Sequence, residues 1–325
     1  MTDNDQRKQF ESQGYLIKRD FFKDSDIGPV YRDIELEGNK LVHQLYEKGL
    51  LTKDYSIDET LDLDTKILLA EKEYKGTTIL LHTAFASRLK ESFGNLFSNG
   101  RLLDLIETLL GSKEISGHPE WNLRCKTPNN RYFDVPFHQD AAYLEVGAEF
   151  FKQITVWIPL VDIVLENGPL QLFPPPIGSV ATTPLCKHHL QKNLDPSFKD
   201  SWYLEIKETD LPLNSADVLT ITPLSKGSIV LFPNCAIHKS LPNHSKSIRW
   251  TVDLRFMKTS DPSGFYPIDA SENETKMKLR SSILPEIPID YKQWALDNQN
   301  ILMDMDDKKD KNDFSIQGPW MNRWK

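Results

Sequence analysis

In the segment VPFHQDAAY, His138 and Asp140 stand two residues apart, a spacing that in extended backbone points both side chains to one side. Such a pair offers a divalent metal one imidazole and one carboxylate from a single short stretch. His238 is a third candidate about a hundred residues on, beyond the apolar run GSIVLFP, where a closed sheet could return it opposite the first two. Two imidazoles and one carboxylate on one face of an octahedral iron(II) leave three positions open, enough for a bidentate small molecule and dioxygen. An HxD pair alone is weak evidence, because such pairs occur by chance. His43 and His82, which stand alone, read as surface or hydrogen-bonded residues.

The signal sharpens in GSIVLFPNCAIHKSLPNHSKSIRWTVDLRF, where Arg249 follows His238 by eleven residues across a polar turn built on Pro242, Asn243 and Ser245. A hairpin at that turn would set Arg249 on the strand beside His238. Its planar guanidinium fork suits a dicarboxylate that chelates the metal by its other end. Ser240 shares the histidine's side of an extended strand and could bond the same carboxylate or serve the turn. Asn122, Arg124 and Lys126 alternate on WNLRCK and share one face, as binding residues or as the polar side of an exposed edge strand. Trp157 lies in a strand and reads equally as packed core or pocket wall. Asn167 and Gly168 are turn chemistry, and His188 and His189 read as surface residues.

The elements that must position these groups fall into two parts. Up to about residue 113 helices dominate. Asp24 or Ser25 can cap a helix through about residue 48, with Ile27, Val30, Tyr31 and Ile34 at helical spacing. Residues 84–111 carry two further apolar stripes, broken around Ser98-Asn99-Gly100 and stopped at Gly111. From about residue 114 the period becomes two: WNLRCK, QITVWIPLVD, PLQLFP, GSIVLFP and IRWTVDLRF are short, β-rich runs separated by Pro, Gly and Asn clusters. This pattern predicts a mainly β protein with flanking helices around an antiparallel barrel or jelly roll. QITVWIPLVD is apolar on both faces and should be covered on both. Residues 304–314, DMDDKKDKNDF, form a solvated charge run.

Bulk properties exclude several classes. A chain of 325 residues can bury a large core as one unit or two. It has no apolar stretch long enough for a bilayer, so a soluble protein with no membrane partner is expected. The net charge of -8 argues against a nucleic-acid partner, which needs a basic surface. The polar start MTDNDQRKQF lacks a secretory signal, and a cytoplasmic location is expected. Three cysteines without CxxC spacing, Cys125, Cys186 and Cys235, argue against a disulfide framework or thiolate zinc site and read as reduced thiols.

On these residues the chain resembles the phytanoyl-CoA dioxygenase (PhyH) family of iron(II)- and 2-oxoglutarate-dependent oxygenases. The likeness runs from FESQGYLIKRDFF through FHQDAAYL and ENGPLQLFPPPIGS to IHKSLPN and SIRW, roughly residues 8–257. It implies a double-stranded β-helix (jelly-roll, cupin-like) core in a single domain over 1–325. That domain would have a mainly helical part at 1–113, the jelly roll at 114–258 and an extension at 259–325 packing on it. It implies that His138, Asp140 and His238 bind the iron and act in catalysis, and that Arg249 binds 2-oxoglutarate with Asn122, Trp157 and Ser240 beside it. Arg124 and Lys126 are left to meet an anionic substrate.

Two departures stand out. Where the family commonly has Pro-Gly-Ser-His after its NGPL segment, this chain reads Phe173-Pro174-Pro175-Pro176-Ile177-Gly178-Ser179, and after about residue 260 the match is loose apart from the closing GPWMNRW.

The implied reaction consumes 2-oxoglutarate and dioxygen, releases succinate and carbon dioxide, and oxidises an unactivated C–H bond by hydroxylation, desaturation or cyclisation. Asp140 argues against halogenation, in which a small residue would replace the carboxylate. The ending WMNRWK carries no peroxisomal address, which disfavours phytanoyl-CoA itself. A small carboxylated metabolite of specialised biosynthesis is the expected partner, and a monomer or weak homodimer the expected state. The competing readings are a catalytically silent jelly-roll metal- or metabolite-binding protein, against which the intact triad and Arg249 speak, and a cupin-type isomerase or zinc hydrolase, which would not need Arg249 at this spacing.

Overall fold

The computed structural model describes residues 2–86, 90–130, 134–174, 184–191, 203–212, 218–265, 276–289 and 320–324. The charge run at 304–314 and the proline loop from Pro175 lie outside them. Among the described residues the first third is helical: α1 (Asp3–Gln13), α2 (Asp24–Glu47), α3 (Leu63–Glu73), α4 (Thr77–Ala86), α5 (Glu91–Phe97) and α6 (Gly100–Leu110). Caps set their ends. The Asn99 side chain accepts from Leu102 N at 3.3 Å to start α6, and Gly111 at φ 67° stops it. The apolar stripes at Ile27, Val30 and Ile34 on α2 and Leu102, Ile106 and Leu109 on α6 are buried, as their spacing requires.

Helix α4 has no legible pattern. In α4, TTILLHTAFA lacks a polar face because the helix packs between α2, α3 and the sheet, so no amphipathic period exists to read. The start of α3 is capped by Asp62, whose Oδ1 accepts from Thr65 N at 2.8 Å.

The strands are β1 (Leu16–Lys18), β2 (Ile115–Gly117), β3 (Asn122–Lys126), β4 (Gln153–Pro159), β5 (Leu170–Phe173), β6 (His189–Leu190), β7 (Leu204–Glu205), β8 (Leu219–Thr220), β9 (Ile229–Pro233), β10 (Ile237–Ser240), β11 (Arg249–Lys258) and β12 (Met277–Arg280). All named pairings are antiparallel. The large sheet runs β1-β9-β4-β11-β2-β12, with β3 also on β11; a smaller sheet runs β10-β5-β8, and β6 pairs β7. This is a jelly roll with flanking helices, mainly β as the sequence pattern predicts.

Period-two alternation divides the large sheet's faces. On β11, Trp250, Val252, Leu254 and Phe256 join the helices in the main apolar core, while the odd positions Arg249, Thr251, Asp253 and Arg255 point the other way. Both sets are buried, so the polar face looks into the molecule. Every residue of β4 is buried, in keeping with its two apolar faces. On β3, Leu123 and Cys125 belong to the helix-side core, which sends Asn122, Arg124 and Lys126 inward. An exposed polar edge is excluded, because Asn122 and Lys126 are buried and the Arg124 side chain is only 24% exposed.

The expected hairpin between His238 and Arg249 does not form. β10 pairs β5 in the small sheet, whereas β11 pairs β2, β3 and β4 in the large one. The turn at 241–248 crosses between sheets, and Arg249 reaches the His238 strand through its side chain. Nor do His138 and Asp140 share a strand. His138 forms an isolated bridge with His238, with N–H to carbonyl distances of 3.0 Å both ways, and Asp140 begins a 3-10 turn at Asp140–Tyr143. All three cysteines are free thiols, and no described helix is long and apolar enough to cross a membrane.

Candidate metal centre and cosubstrate pocket

The backbone bridge from His138 to His238 brings two residues a hundred positions apart into register, and their rings tilt against each other with centroids 4.1 Å apart. Each ring is fixed through Nδ1, which donates to the carbonyl two residues earlier: His138 to Pro136 O at 2.8 Å and His238 to Ala236 O at 3.0 Å. The Nε2 lone pairs are thereby left to face Asp140 Oδ1, 3.7 Å from His138 and 3.8 Å from His238. These distances are too long for hydrogen bonds. Ligand atoms from the three residues all lie within 4.8 Å of one another, and all three side chains are buried.

Burial, with repulsion from His138, pushes His238 down to about 3, so its imidazole is neutral at ordinary pH. Burial also pushes the Asp140 carboxyl up, but Arg255 and the two imidazoles outweigh it and hold the group well below the usual carboxylate range. Two imidazole nitrogens and one carboxylate oxygen converge on one point. That donor set fits a divalent cation, and the His₂-carboxylate combination suits iron(II).

The far oxygen of Asp140 is taken. Oδ2 accepts from Thr155 Oγ1 at 2.7 Å and from Arg255 Nε at 3.2 Å, with Arg255 NH2 at an ion-pair distance of 3.2 Å. Sequence reading missed both partners, although RWTVDLRF places Arg255 on the same face of β11 as Arg249 and a polar odd-numbered row was visible.

Arg249 lies in the same cavity, 4% exposed. Its NH1 donates to Ser240 Oγ at 3.0 Å and to Gly168 O, while Nε has no hydrogen-bond partner. Gly168 adopts φ +80°, and a Cβ there would come 2.3 Å from Leu241 O; the ENGP turn needs glycine and aims its carbonyl at Arg249. Burial pushes Arg249 down to about 10, so the group stays charged at neutral pH. Among the described residues it has no carboxylate within ion-pair distance. A buried guanidinium in that state calls for an anion, which fits the distal carboxylate of 2-oxoglutarate. The face of Trp157 lies 5.8 Å from Arg249 Cζ; Trp157 both lines the cavity and packs in an apolar cluster.

Lys126 is placed differently from its expected position against the substrate. It is 2% exposed, with Nζ 3.1 Å from Ser240 Oγ and 3.1 Å from Asp134 Oδ1, so it joins Arg249 around Ser240. Burial, then repulsion from Arg249, push it down to about 7. Asn122 is buried on the same strand face, its Nδ2 without a hydrogen-bond partner.

Arg124 stands apart from this group. Its Nε donates to Asp253 Oδ2 at 3.1 Å, and among the described residues its terminal nitrogens make no hydrogen bond. The side chain lines a cavity of about 830 Å³, counted to its open mouth, together with Ile79, His82 and Tyr203. His82 donates from Nδ1 to Leu123 O at 2.8 Å, and burial pushes it down to about 4, which presents a neutral imidazole at the wall. It is a pocket residue that its isolated place in the sequence did not reveal.

The surface reading of His188 is corrected. It is 1% exposed; its Nε2 accepts from Gln139 N at 3.1 Å, and Trp324 stacks over it with centroids 5.0 Å apart. Gln139, between the two metal candidates, also grips Pro184 O, Cys186 N and Cys235 O. A short helix, α7 (Trp320–Arg323), packs on the Asp140 turn, where Arg323 NH1 donates to Ala141 O, Leu144 O and Glu145 O. Contacts across some 180 residues leave no local trace in sequence.

A model of the phytanoyl-CoA dioxygenase (PhyH) family matches residues 10–251. Among solved structures, the non-heme monooxygenase ThoJ in its apo form is 15% identical, with 91% of this chain and 94% of that chain covered and a TM-score of 0.55. Its nickel complex gives 12%, 94%, 99% and 0.50. EvdO2 from Micromonospora carbonacea var. aurantiaca, complexed with 2-oxoglutarate, is 18% identical over 81% of this chain and 95% of that one, at 0.47. At these identities the ThoJ likeness speaks for the fold.

Proposed function

The chain belongs to the phytanoyl-CoA dioxygenase family of iron(II)- and 2-oxoglutarate-dependent oxygenases, and on that premise we propose that it oxidises an unactivated C–H bond of a small, carboxylated metabolite. The observation that carries this reading is the joint presence, in one cavity, of three converging donor atoms and a buried arginine with no carboxylate partner among the described residues. His138, Asp140 and His238 would hold the iron, each through one atom. When bound, iron(II) with 2-oxoglutarate and dioxygen supplies oxidative decarboxylation to succinate and carbon dioxide, and with it the oxidising power to break a substrate C–H bond.

The chain's own residues orient the reactants. Arg249 takes the distal carboxylate of 2-oxoglutarate, Ser240 bonds beside it, Trp157 walls the pocket, and Lys126 adds a second cation at that end. Arg124, held by Asp253 through one nitrogen, offers its remaining fork to the anionic group of the substrate. Hydroxylation is the outcome assigned, with desaturation or ring closure the variants open to the same chemistry. The test is anaerobic titration of iron(II) and 2-oxoglutarate, followed by succinate release across a panel of carboxylated metabolites. A weak visible charge-transfer band and substrate-stimulated succinate are expected. Neither appearing would favour a silent binding protein.

Two variants separate the ends of the pocket. Arg124→Ala should weaken dependence on the substrate by about ten- to a hundredfold, the loss of one charge-assisted hydrogen bond worth roughly 1.5–3 kcal/mol, and leave 2-oxoglutarate binding intact. Equal losses for both would point to general damage.

Lys126 gives a pH signature. Its ammonium attracts a dicarboxylate only when protonated, so the attraction is complete below about 7 and fades as pH rises through that value; a bound anion moves the window upward. Affinity for 2-oxoglutarate should therefore weaken as pH rises above about 7. Lys126→Met should cost roughly tenfold at the acid end and flatten the profile. Parallel profiles for the variant and wild type would remove Lys126 from the cosubstrate site.

A further inference from the structure

We propose that Arg255 and Thr155 act together as a clamp that makes Asp140 a one-oxygen ligand, and so determine how many positions stay open at the metal. The inference rests on the metal-centre reading and adds the residues that shape it. Arg255 on β11 and Thr155 on β4 are direct cross-strand partners, both almost fully buried, and they converge on one atom. Asp140 Oδ2 accepts the Thr155 hydroxyl at 2.7 Å and Arg255 Nε at 3.2 Å, and Arg255 NH2 lies at ion-pair distance, also 3.2 Å. Oδ1 alone is turned to the two imidazoles.

The guanidinium is held from behind as well. Its NH1 lies 3.8 Å from Glu120 Oε1 and 3.4 Å from Glu120 O, so it cannot swing towards the cavity without breaking those contacts. Arg255 is thus committed to Asp140, while Arg249 and Arg124 are left for ligands.

The consequence follows from coordination number. An aspartate with both oxygens free can chelate a divalent cation and take two of six positions; with two histidines, only two remain, and a bidentate 2-oxo acid fills them. Occupying Oδ2 with two hydrogen bonds and the guanidinium charge restricts the carboxylate to one position and leaves a third position open. Partners of metal ligands typically alter metal affinity by about 10–100-fold when removed. Arg255 and Thr155 are therefore positioning residues, and their loss should register on the metal before it registers on either organic ligand.

Mn(II) is a suitable probe, because its affinity follows from the free-ion electron paramagnetic resonance signal and its bound waters can be counted by double resonance with labelled water. Arg255→Gln should bind Mn(II) about 10–100-fold more weakly and show two bound waters where wild type shows three. Thr155→Val should shift both readings in the same direction by less. Arg255→Lys, which keeps charge but loses the fork, should recover affinity only in part. Wild-type affinity and water count in folded Arg255→Gln and Thr155→Val would overturn the clamp and leave the pair a packing role. If Arg255→Gln does not fold, unchanged readings in Thr155→Val alone overturn it. Failure of wild type to bind Mn(II) would instead sink the metal-centre reading, and the clamp with it.

Discussion

His138→Ala and His238→Ala should bring succinate formation down to the background rate while leaving the protein folded, because each removes one of three metal bonds and leaves no buried charge behind. Each ring hydrogen-bonds through Nδ1 to a carbonyl in its own segment. Asp140→Ala should be equally inactive yet behave differently in a melting experiment. It strips Arg255 of its close partner and leaves only Glu120 at 3.8 Å, and breaking a buried pair in this way costs about 3–5 kcal/mol. Asp140→Asn keeps an oxygen for Thr155 and Arg255, so it should lose turnover with a smaller fall in melting temperature. Bound iron, succinate release and thermal melting by circular dichroism check all four variants. Near-normal iron-dependent turnover in any of them would remove that residue from the triad.

The second large effect is expected at Arg249. Arg249→Leu should raise the 2-oxoglutarate requirement by roughly thirty- to several-thousandfold, since a desolvated carboxylate deprived of its charged partner loses about 2–5 kcal/mol. The structure adds that wild-type Arg249 is itself buried without an ion-pair partner among the described residues. The apo protein bears that cost, and replacement by leucine should not lower its melting temperature; a modest rise is expected. Loss of cosubstrate affinity with unchanged or higher stability is therefore the signature to measure by isothermal titration and melting. An unchanged 2-oxoglutarate affinity in a folded variant would contradict the assignment.

Much of this was legible in the residue order because it depends on local spacing. The period-two runs that became β3, β4, β5, β9 and β11, the break at Ser98-Asn99-Gly100 and the stop at Gly111 are short-range features. His138, Asp140, His238 and Arg249 could be singled out because one rare combination of residue types recurs at a family spacing. The alternation of Asn122, Arg124 and Lys126 was equally visible. Sequence established that these three share a face, and stopped there.

Which way that face looks was a tertiary decision: α4 covers the apolar side of β3, so the polar side turns into the cavity. The same holds for His238 and Arg249, whose eleven-residue spacing suits a hairpin as well as a crossing between sheets; only strand pairing chose the crossing. Lys126 beside Ser240, Arg255 on Asp140 and His188 under Trp324 join residues 114, 115 and 136 positions apart. No local period encodes such contacts. Parity along a strand sets the side of each residue relative to its neighbours, whereas which buried cation meets which anion depends on how two sheets and a helical layer close around one cavity.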